Sequence, residues 1–183
     1  MTVIDDELRD TLEAELSGWK KIVVLGIGNE LRSDDGLGLR AAKRLKTVLA
    51  GITGVEVLAT GTSPENFTGL LRRLAPSHIL LLDALESGDR PGTIKFVKSH
   101  QIEEVMPSTH TLPLYVLAKY LEQQLGSKVL LLGIQPNILA SGTELSDEVK
   151  DSVGRLVRLL RQIIIAPPEE RPVRETTASM AKC

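Results

Sequence analysis

Apolar runs alternate with amphipathic stretches along most of this chain. Five short runs are continuous or alternating in apolar residues, as strands are: KKIVVLGIG, GVEVLATG, SHILLLDA, GTIKFV and KVLLLGIQP. Longer stretches with the 3.6-residue period of a helix lie between and after them: LGLRAAKRLKTVLA, PENFTGLLRRLA, LYVLAKYLEQQLG and SDEVKDSVGRLVRLLRQIII. This alternation predicts a mostly parallel sheet with helices packed on it.

The fourth predicted strand should run against its neighbours. Only LESGDRPG separates SHILLLDA from GTIKFV, whereas a parallel crossover needs a dozen residues or more. We therefore expect a three-layer α/β/α sandwich with about five mostly parallel strands, one of them antiparallel.

The length of 183 residues fits one domain, which we place at residues 21–165. Residues 1–20 form an N-terminal extension, in which Leu8, Leu12 and Leu16 recur every four residues and predict a short helix. Residues 166–183 are polar and proline-rich, so we expect a disordered tail.

Composition narrows the class of protein. The formal net charge of -2 argues against a nucleic-acid surface, which needs a basic excess. No apolar run approaches the roughly 18 residues of a membrane span, and the acidic N-terminus lacks the layout of a signal peptide. Cys183 is the single cysteine, so neither an internal disulfide nor a cysteine-based zinc site is expected. We expect a soluble cytoplasmic protein with no membrane insertion and no nucleic-acid partner.

Polar side chains that could carry chemistry follow the predicted strands. In open α/β sheets, ligands bind beyond the carboxyl ends of the strands, where such residues converge. The stretch GIGNELRSDDGLG after the first strand supplies several of them, and later strand ends and one helix-entry loop supply the rest: Asn29, Asp34, Asp35, Thr62, Asp83, His110 and Gln135.

A nucleotide site is one interpretation of the glycine-rich stretch, and the sequence disfavours it. The dinucleotide fingerprint needs a third glycine where this chain has Leu31, and an acid at the end of the second strand, which instead ends in LATG. The Gly-Lys-Ser/Thr ending of a phosphate-binding loop is missing as well.

A metal site is the other interpretation. Asp35, Asp83 and His110 offer two carboxylates and one imidazole, a set that suits zinc, nickel or a similar ion and leaves a position open for water or substrate. Ordinary structural roles compete with it. Asp34 or Asp35 could cap the following helix, which the sequence alone favours for either; Asp83 could stabilise a turn, and His110 could lie on the surface. Local chemistry therefore leaves an α/β protein with a candidate Asp/Asp/His site.

Several motifs together resemble one known family, the nickel–iron hydrogenase maturation endopeptidases. They are GIGNELRSDDGLG, GTSPEN, ILLLDA, PGTIKF, STHTLPL and LLGIQP, in the order and spacing of that family from roughly Lys21 to Ile165. The Asp35 form of the first motif, with GTSPEN and THTLPL, is most similar to the branch that serves membrane-bound, hydrogen-evolving hydrogenases of the formate hydrogenlyase type.

This resemblance implies an endopeptidase that removes a C-terminal peptide from the large-subunit precursor of a nickel–iron hydrogenase after nickel insertion. It implies that Asp35, Asp83 and His110 are the catalytic, metal-contacting residues, with nickel carried by the substrate and no organic cofactor. From their positions, we expect Asn29, Thr62 and Gln135 to orient ligands or hold the peptide. We expect a monomer whose partner is the nickel-loaded precursor. The alternative is a non-proteolytic nickel-binding or scaffold protein of hydrogenase assembly.

Overall fold

The computed structural model of this chain describes residues 3–105 and 113–166 and contains one five-stranded sheet in the order β2-β1-β3-β5-β4. The strands are β1 (Ile22–Ile27), β2 (Val55–Gly61), β3 (His78–Ala84), β4 (Ile94–Lys98) and β5 (Lys128–Ile134). Four of them are parallel, and β4 pairs with β5 in the antiparallel sense. The predicted five-stranded sheet with one antiparallel strand is confirmed.

Helices cover both faces of this sheet. They are α1 (Val3–Glu15), α2 (Leu37–Val48), α3 (Thr68–Leu74), α4 (Ile102–Val105), α5 (Leu114–Leu125) and α6 (Asp147–Ile165). Buried side chains of α1, α2 and α6 form one core cluster with one face of the sheet, and those of α3 and α5 form a second cluster with the other face. The predicted three-layer sandwich is therefore confirmed.

The central strands are apolar throughout because both of their faces are buried. All six residues of β1 are buried, and in β3 successive residues alternate between the two core clusters. Leu80 and Leu82 face α2 and α6, whereas Ile79 and Leu81 face α3 and α5. Continuous apolar runs of this kind are typical of parallel strands inside a sandwich.

Two glycines let α2 approach the sheet closely. A β-carbon on Gly26 would lie 2.4 Å from the β-carbon of Ala42, and one on Gly38 would lie 2.2 Å from the carbonyl oxygen of Leu82. Side chains at these positions would push the helix away from β1 and β3. The first turn of α2 is thus held close to the carboxyl ends of the two central strands.

The N-terminal helix α1 packs against the core. Leu12 and Leu16, from its apolar stripe and the turn after it, are 0% and 1% exposed. Lys128 and Lys98 lie 2.6 Å and 3.1 Å from the carboxylate oxygens of Glu15. Burial raises the pKa of Glu15, but the hydrogen bonds from both lysines outweigh it and hold that pKa below its ordinary value. This part of the N-terminal extension therefore packs against the domain and is linked to β4 and β5.

Of the predicted tail at residues 166–183, only Ala166 is among the described residues. Within the two described ranges, no helix combines the length and the hydropathy that crossing a bilayer requires.

Candidate functional site

The carboxyl ends of β1 and β3 define the candidate site. From β1 the chain continues to β2 on one side, whereas β3 pairs with β1 on the other. Such a reversal of strand order leaves a crevice at the carboxyl ends of the two strands, which is where α/β sheets bind ligands. Asp35 lies in the 3-10 turn that follows β1, and Asp83 is the sixth residue of β3. The sheet therefore brings two of the three predicted metal-contacting residues to the same edge.

Gly28 lies between these two acids. A β-carbon on Gly28 would be 1.8 Å from the carbonyl oxygen of Asp35 and 3.8 Å from Oδ1 of Asp83. Its φ of +122° is a backbone conformation that residues with side chains rarely adopt. This glycine allows the turn carrying Asp35 to fold back toward β3. The glycine-rich stretch, which lacks the phosphate-binding pattern, therefore serves to bring Asp35 close to Asp83.

Asp83 is almost completely buried, with 1% of its surface exposed. Its Oδ1 accepts a hydrogen bond from the backbone N–H of Ala84 at 2.8 Å. Its position in β3 places it on the face covered by α3 and α5, because it alternates with Leu82 on the opposite face. A buried carboxylate at a strand end is an expensive group to keep, which favours a functional role.

Asp35 is partly exposed, and its side chain does not cap α2. The residue before α2 is Gly36, and neither α2 nor the preceding turn Ser33–Gly36 has a side-chain cap hydrogen bond. Oδ2 of Asp35 instead accepts from the backbone N–H of Asn29 at 3.1 Å. The capping role that the sequence favoured for Asp34 or Asp35 is wrong for α2, because the extra 3-10 turn carries both carboxylates away from the first turn of the helix.

The three residues expected to orient ligands differ in their surroundings. Asn29 Oδ1 accepts from the N–H of Leu31 at 3.0 Å, so this side chain shapes the loop that leads to Asp35. Gln135 Oε1 accepts from the N–H of Ser87 at 2.8 Å and thereby holds the loop that follows β3. Thr62 is exposed directly after β2. Asn29 and Gln135 thus support the two loops that carry or follow the acids.

His110 lies outside the described residues, between α4 and α5. The helix that follows it, α5, begins at Leu114 and ends at Leu125, three residues before β5 begins. Since β5 starts at the amino edge of the sheet, the opposite end of α5 points toward the carboxyl edge. Among the residues that the structure does describe, no group of three metal-ligating side chains occurs.

A second segment is bonded to the turn that carries Asp35, and the sequence did not predict this contact. The chain between β5 and α6 is hydrogen-bonded to the turn that carries Asp35, through the side chain of Asp34 and through backbone groups. Asp34 and its partner Ser146 are 112 positions apart. The sequence marks Asp34 only as one of two adjacent acids, and no local pattern reveals such a distant partner.

The loop after β3 carries a further acid, Asp89. Asp89 accepts from Ser87 Oγ and lies 2.5 Å from Lys95 Nζ on β4. These hydrogen bonds, from Lys95 above all, hold the pKa of Asp89 below its ordinary value. Asp89 is therefore paired with Ser87 and Lys95, and the candidate site is built on Asp35 and Asp83 at the switch point. Their oxygens are hard ligands suited to a divalent cation or able to accept a proton from a bound water.

Comparison with known proteins gives consistent matches. The family model described as HycI, hydrogenase maturation protease, matches residues 39–163. The hydrogenase 3 maturation protease of Escherichia coli K12 is 34% identical over 139 residues, which cover 75% of this chain and 87% of that protein. The crystal structure of a NiFe hydrogenase maturation protease HycI from Thermococcus kodakarensis KOD1 matches with a TM-score of 0.78 and 34% identity, covering 84% of this chain and 98% of that one. HybD, a NiFe hydrogenase maturation protease from Thermococcus kodakarensis, matches with a TM-score of 0.65 and 25% identity, covering 79% of this chain and 99% of that one.

Proposed function

This chain belongs to the hydrogenase maturation protease family, and from that membership we propose that it is an endopeptidase that removes a C-terminal peptide from the large-subunit precursor of a nickel–iron hydrogenase. We propose further that it acts after nickel has been inserted, as a monomer in the cytoplasm. The resemblance of the Asp35 motif, GTSPEN and THTLPL to the branch serving membrane-bound, hydrogen-evolving hydrogenases supports a substrate of that type. The observation that carries the proposal is the convergence of Asp35 and Asp83 on Gly28 at the switch point of the sheet.

In the proposed reaction, nickel belongs to the substrate. Asp35, Asp83 and His110 contact the nickel that is already bound in the precursor, and this contact brings the scissile peptide into the crevice. Asp35 and Asp83 supply oxygens at the carboxyl edge of the sheet, and His110 belongs to the segment that enters α5. Cleavage is then conditional on nickel, because a precursor without the metal lacks the group that the three side chains recognise.

Two sources of water activation are compatible with this arrangement. The substrate's nickel can polarise the scissile carbonyl or lower the pKa of a bound water. A neighbouring carboxylate can accept the proton of that water and return it to the leaving amine. Asp35 is the better placed of the two acids for contact with solvent, because Asp83 is 1% exposed whereas Asp35 is partly exposed.

Intact mass spectrometry of a large-subunit precursor tests this function. The precursor is incubated with this protein in nickel-loaded and nickel-free forms, and Asp35→Asn serves as the matched variant. A mass loss equal to one C-terminal peptide, seen only with nickel and only with the unaltered protein, is the expected result. Cleavage in both forms would retain the peptidase and remove the nickel requirement. Binding without cleavage of any matched precursor would favour a scaffold protein of hydrogenase assembly.

A further inference from the structure

Asp34 is a completely buried carboxylate directly beside Asp35, with 0% of its surface exposed. Its Oδ2 accepts from the backbone N–H groups of Asn137 at 2.9 Å and Ile138 at 2.8 Å. Its Oδ1 accepts from the N–H of Ser146 at 2.7 Å, and the hydroxyl of Ser146 donates to Oδ2 at 2.8 Å. A buried carboxylate is costly unless hydrogen bonds compensate for the water it has lost. The bonds of Asp34 supply this compensation, and they also connect it to residues 137, 138 and 146.

The four bonds join two segments that are far apart in the sequence. We call residues 29–36 the acidic loop and residues 136–146 the β5–α6 loop. The N–H of Asp34 donates to the carbonyl of Ile138 at 3.1 Å, and the N–H of Ser33 donates to the carbonyl of Gly142 at 2.8 Å. Asp34 therefore binds the β5–α6 loop through both its backbone and its side chain.

The acidic loop is held in a conformation that it would not adopt readily alone. Ser33 has a φ of +49°, in the left-handed region that is unfavourable for residues with a side chain. The β5–α6 loop lies so close to it that a β-carbon on Gly142 would be 2.5 Å from Ser33 Oγ. Strain of this kind persists only where surrounding contacts determine the backbone, and here the contacts come from the β5–α6 loop.

We propose that Asp34 is a positioning residue for the reaction: it fixes the acidic loop to the β5–α6 loop and so sets the location of Asp35, without itself contacting nickel or the scissile peptide. The inference rests on the proposed function. Both carboxylate oxygens of Asp34 already accept hydrogen bonds from the β5–α6 loop, whereas Asp35, one residue along the chain, is partly exposed. A displacement of about 1 Å at a reacting group is enough to cost on the order of 100-fold in rate, so a residue that fixes its neighbour can control activity.

The test compares two substitutions at each of the two acids, with kcat and KM measured on nickel-loaded precursor. In Asp34→Asn, the side-chain oxygen can still accept from the three donors that face Oδ2, while its amide group opposes the N–H of Ser146. We expect kcat to fall about 10- to 100-fold with KM within about twofold, because supporting residues of this kind typically contribute that much. Asp34→Ala loses all four bonds, and its kcat should be lower than that of Asp34→Asn. Asp35→Asn and Asp35→Ala should be equally inactive, since a neutral amide is a much weaker nickel ligand than a carboxylate and cannot act as a base.

A control separates positioning from general stability. Ser152 is a buried serine of α6 that donates to the carbonyl of Gly92 at 2.6 Å, and Ser152→Ala removes a buried hydrogen bond outside both loops. This variant should keep the kcat of the unaltered protein at a temperature where all the variants are folded. An equal loss of kcat in Ser152→Ala and Asp34→Asn would overturn the proposal, and so would equal inactivity of Asp34→Asn and Asp34→Ala, which is the pattern of a direct contact.

Amide hydrogen exchange gives a readout that needs no substrate. In Asp34→Asn, exchange at Ser146, Asn137 and Ile138 should become faster relative to exchange in β1, whereas Ser152→Ala should leave those amides unchanged. Unchanged exchange in Asp34→Asn would overturn the role of Asp34 even if Asp34→Ala failed to fold. An unaltered protein that cleaves no precursor would count against the proposed function, and the exchange result would still report whether Asp34 holds the two loops together.

Discussion

Gly28 lies against the carbonyl group of Asp35, so close that a β-carbon on residue 28 would be 1.8 Å from that oxygen. Gly28→Ala should therefore displace the turn that carries Asp35. With the penalty for a side chain at a φ of +122° added to this overlap, we expect a loss of about 2–5 kcal/mol in the free energy of unfolding. Processing of the precursor should be lost even where the variant remains folded. Urea denaturation and a cleavage assay measure the two effects.

Gly69→Ala is the control for this substitution. Gly69 lies in α3, and a β-carbon there would meet nothing within 4 Å. Alanine is favoured over glycine inside a helix by about 1 kcal/mol, so this variant should be as stable as the unaltered protein or more so. Equal losses of stability and processing in both variants would show that the contact between Gly28 and Asp35 does not cause the effects of Gly28→Ala.

Asp35→Ala and His110→Ala should abolish processing. The side chain of Asp35 is partly exposed and accepts one hydrogen bond in the acidic loop, so its loss should change the free energy of unfolding by no more than about 1–2 kcal/mol. Cleavage should disappear because the proposed contact with the substrate's nickel is removed. Circular dichroism and the mass assay on nickel-loaded precursor check fold and activity. Full processing by either variant would remove that residue from the proposed site.

Leu12→Ala should destabilise the protein through its N-terminal helix. Leu12 is 0% exposed and lies in the core cluster shared with α2 and α6. Truncation of a buried leucine typically costs about 2–5 kcal/mol, and we expect a value in this range from urea denaturation. Glu7→Ala changes an exposed residue of the same helix and should have little effect. If Leu12→Ala changed the free energy of unfolding as little as Glu7→Ala does, α1 would contribute nothing to the stability of the domain.

His78 should make the protein less stable as the pH falls below neutral. Burial and then the neighbouring charge of Lys128 hold the pKa of His78 below its ordinary value, against an opposing effect of Glu15. As the pH falls through about 6.5, the unfolded chain binds a proton that the folded protein resists, so the free energy of unfolding decreases until the lower, folded pKa is passed. Urea midpoints measured between about pH 7.5 and 5 follow this change.

His78→Gln should flatten that pH dependence. His100 is exposed in the 3-10 turn that follows β4, and His100→Gln is the matched variant that should retain the slope of the unaltered protein. A slope that survives in His78→Gln would assign the pH dependence to other groups.

The sheet was predictable from the sequence because its signals are local. Apolar runs such as ILLL in β3 identify strands buried on both faces, and the short connection from β3 to β4 gives the direction of β4. The four residues of α4 are too few to show a helical period, and no local pattern predicts the 3-10 turn at Ser33–Gly36 that precedes α2. That turn is the reason why helix capping was the wrong role for the adjacent acids.

The site was predictable only in part for a related reason. Strand ends identify Asp35 and Asp83, because parallel strands deliver their carboxyl ends to one edge. Local sequence cannot predict the different surroundings of Asp34 and Asp35, because the hydrogen-bond partners of Asp34 lie 103 to 112 positions away. Two adjacent carboxylates look alike in a sequence, and only the packing of the β5–α6 loop distinguishes the buried one from the partly exposed one. His110 and its role stay a prediction, because this residue lies outside the described ranges.

The antiparallel β4 also determines how readily one edge of the sheet could accept a further strand. It is the outermost strand of the sheet, and an unpaired strand edge can template the addition of another chain. β4 has only five residues, and two of them, Lys95 and Lys98, are lysines paired with Asp89 and Glu15. A short edge with charged side chains is a poor template for a further strand. The antiparallel strand beside β5 therefore leaves the sheet with an edge that is poorly suited to strand addition.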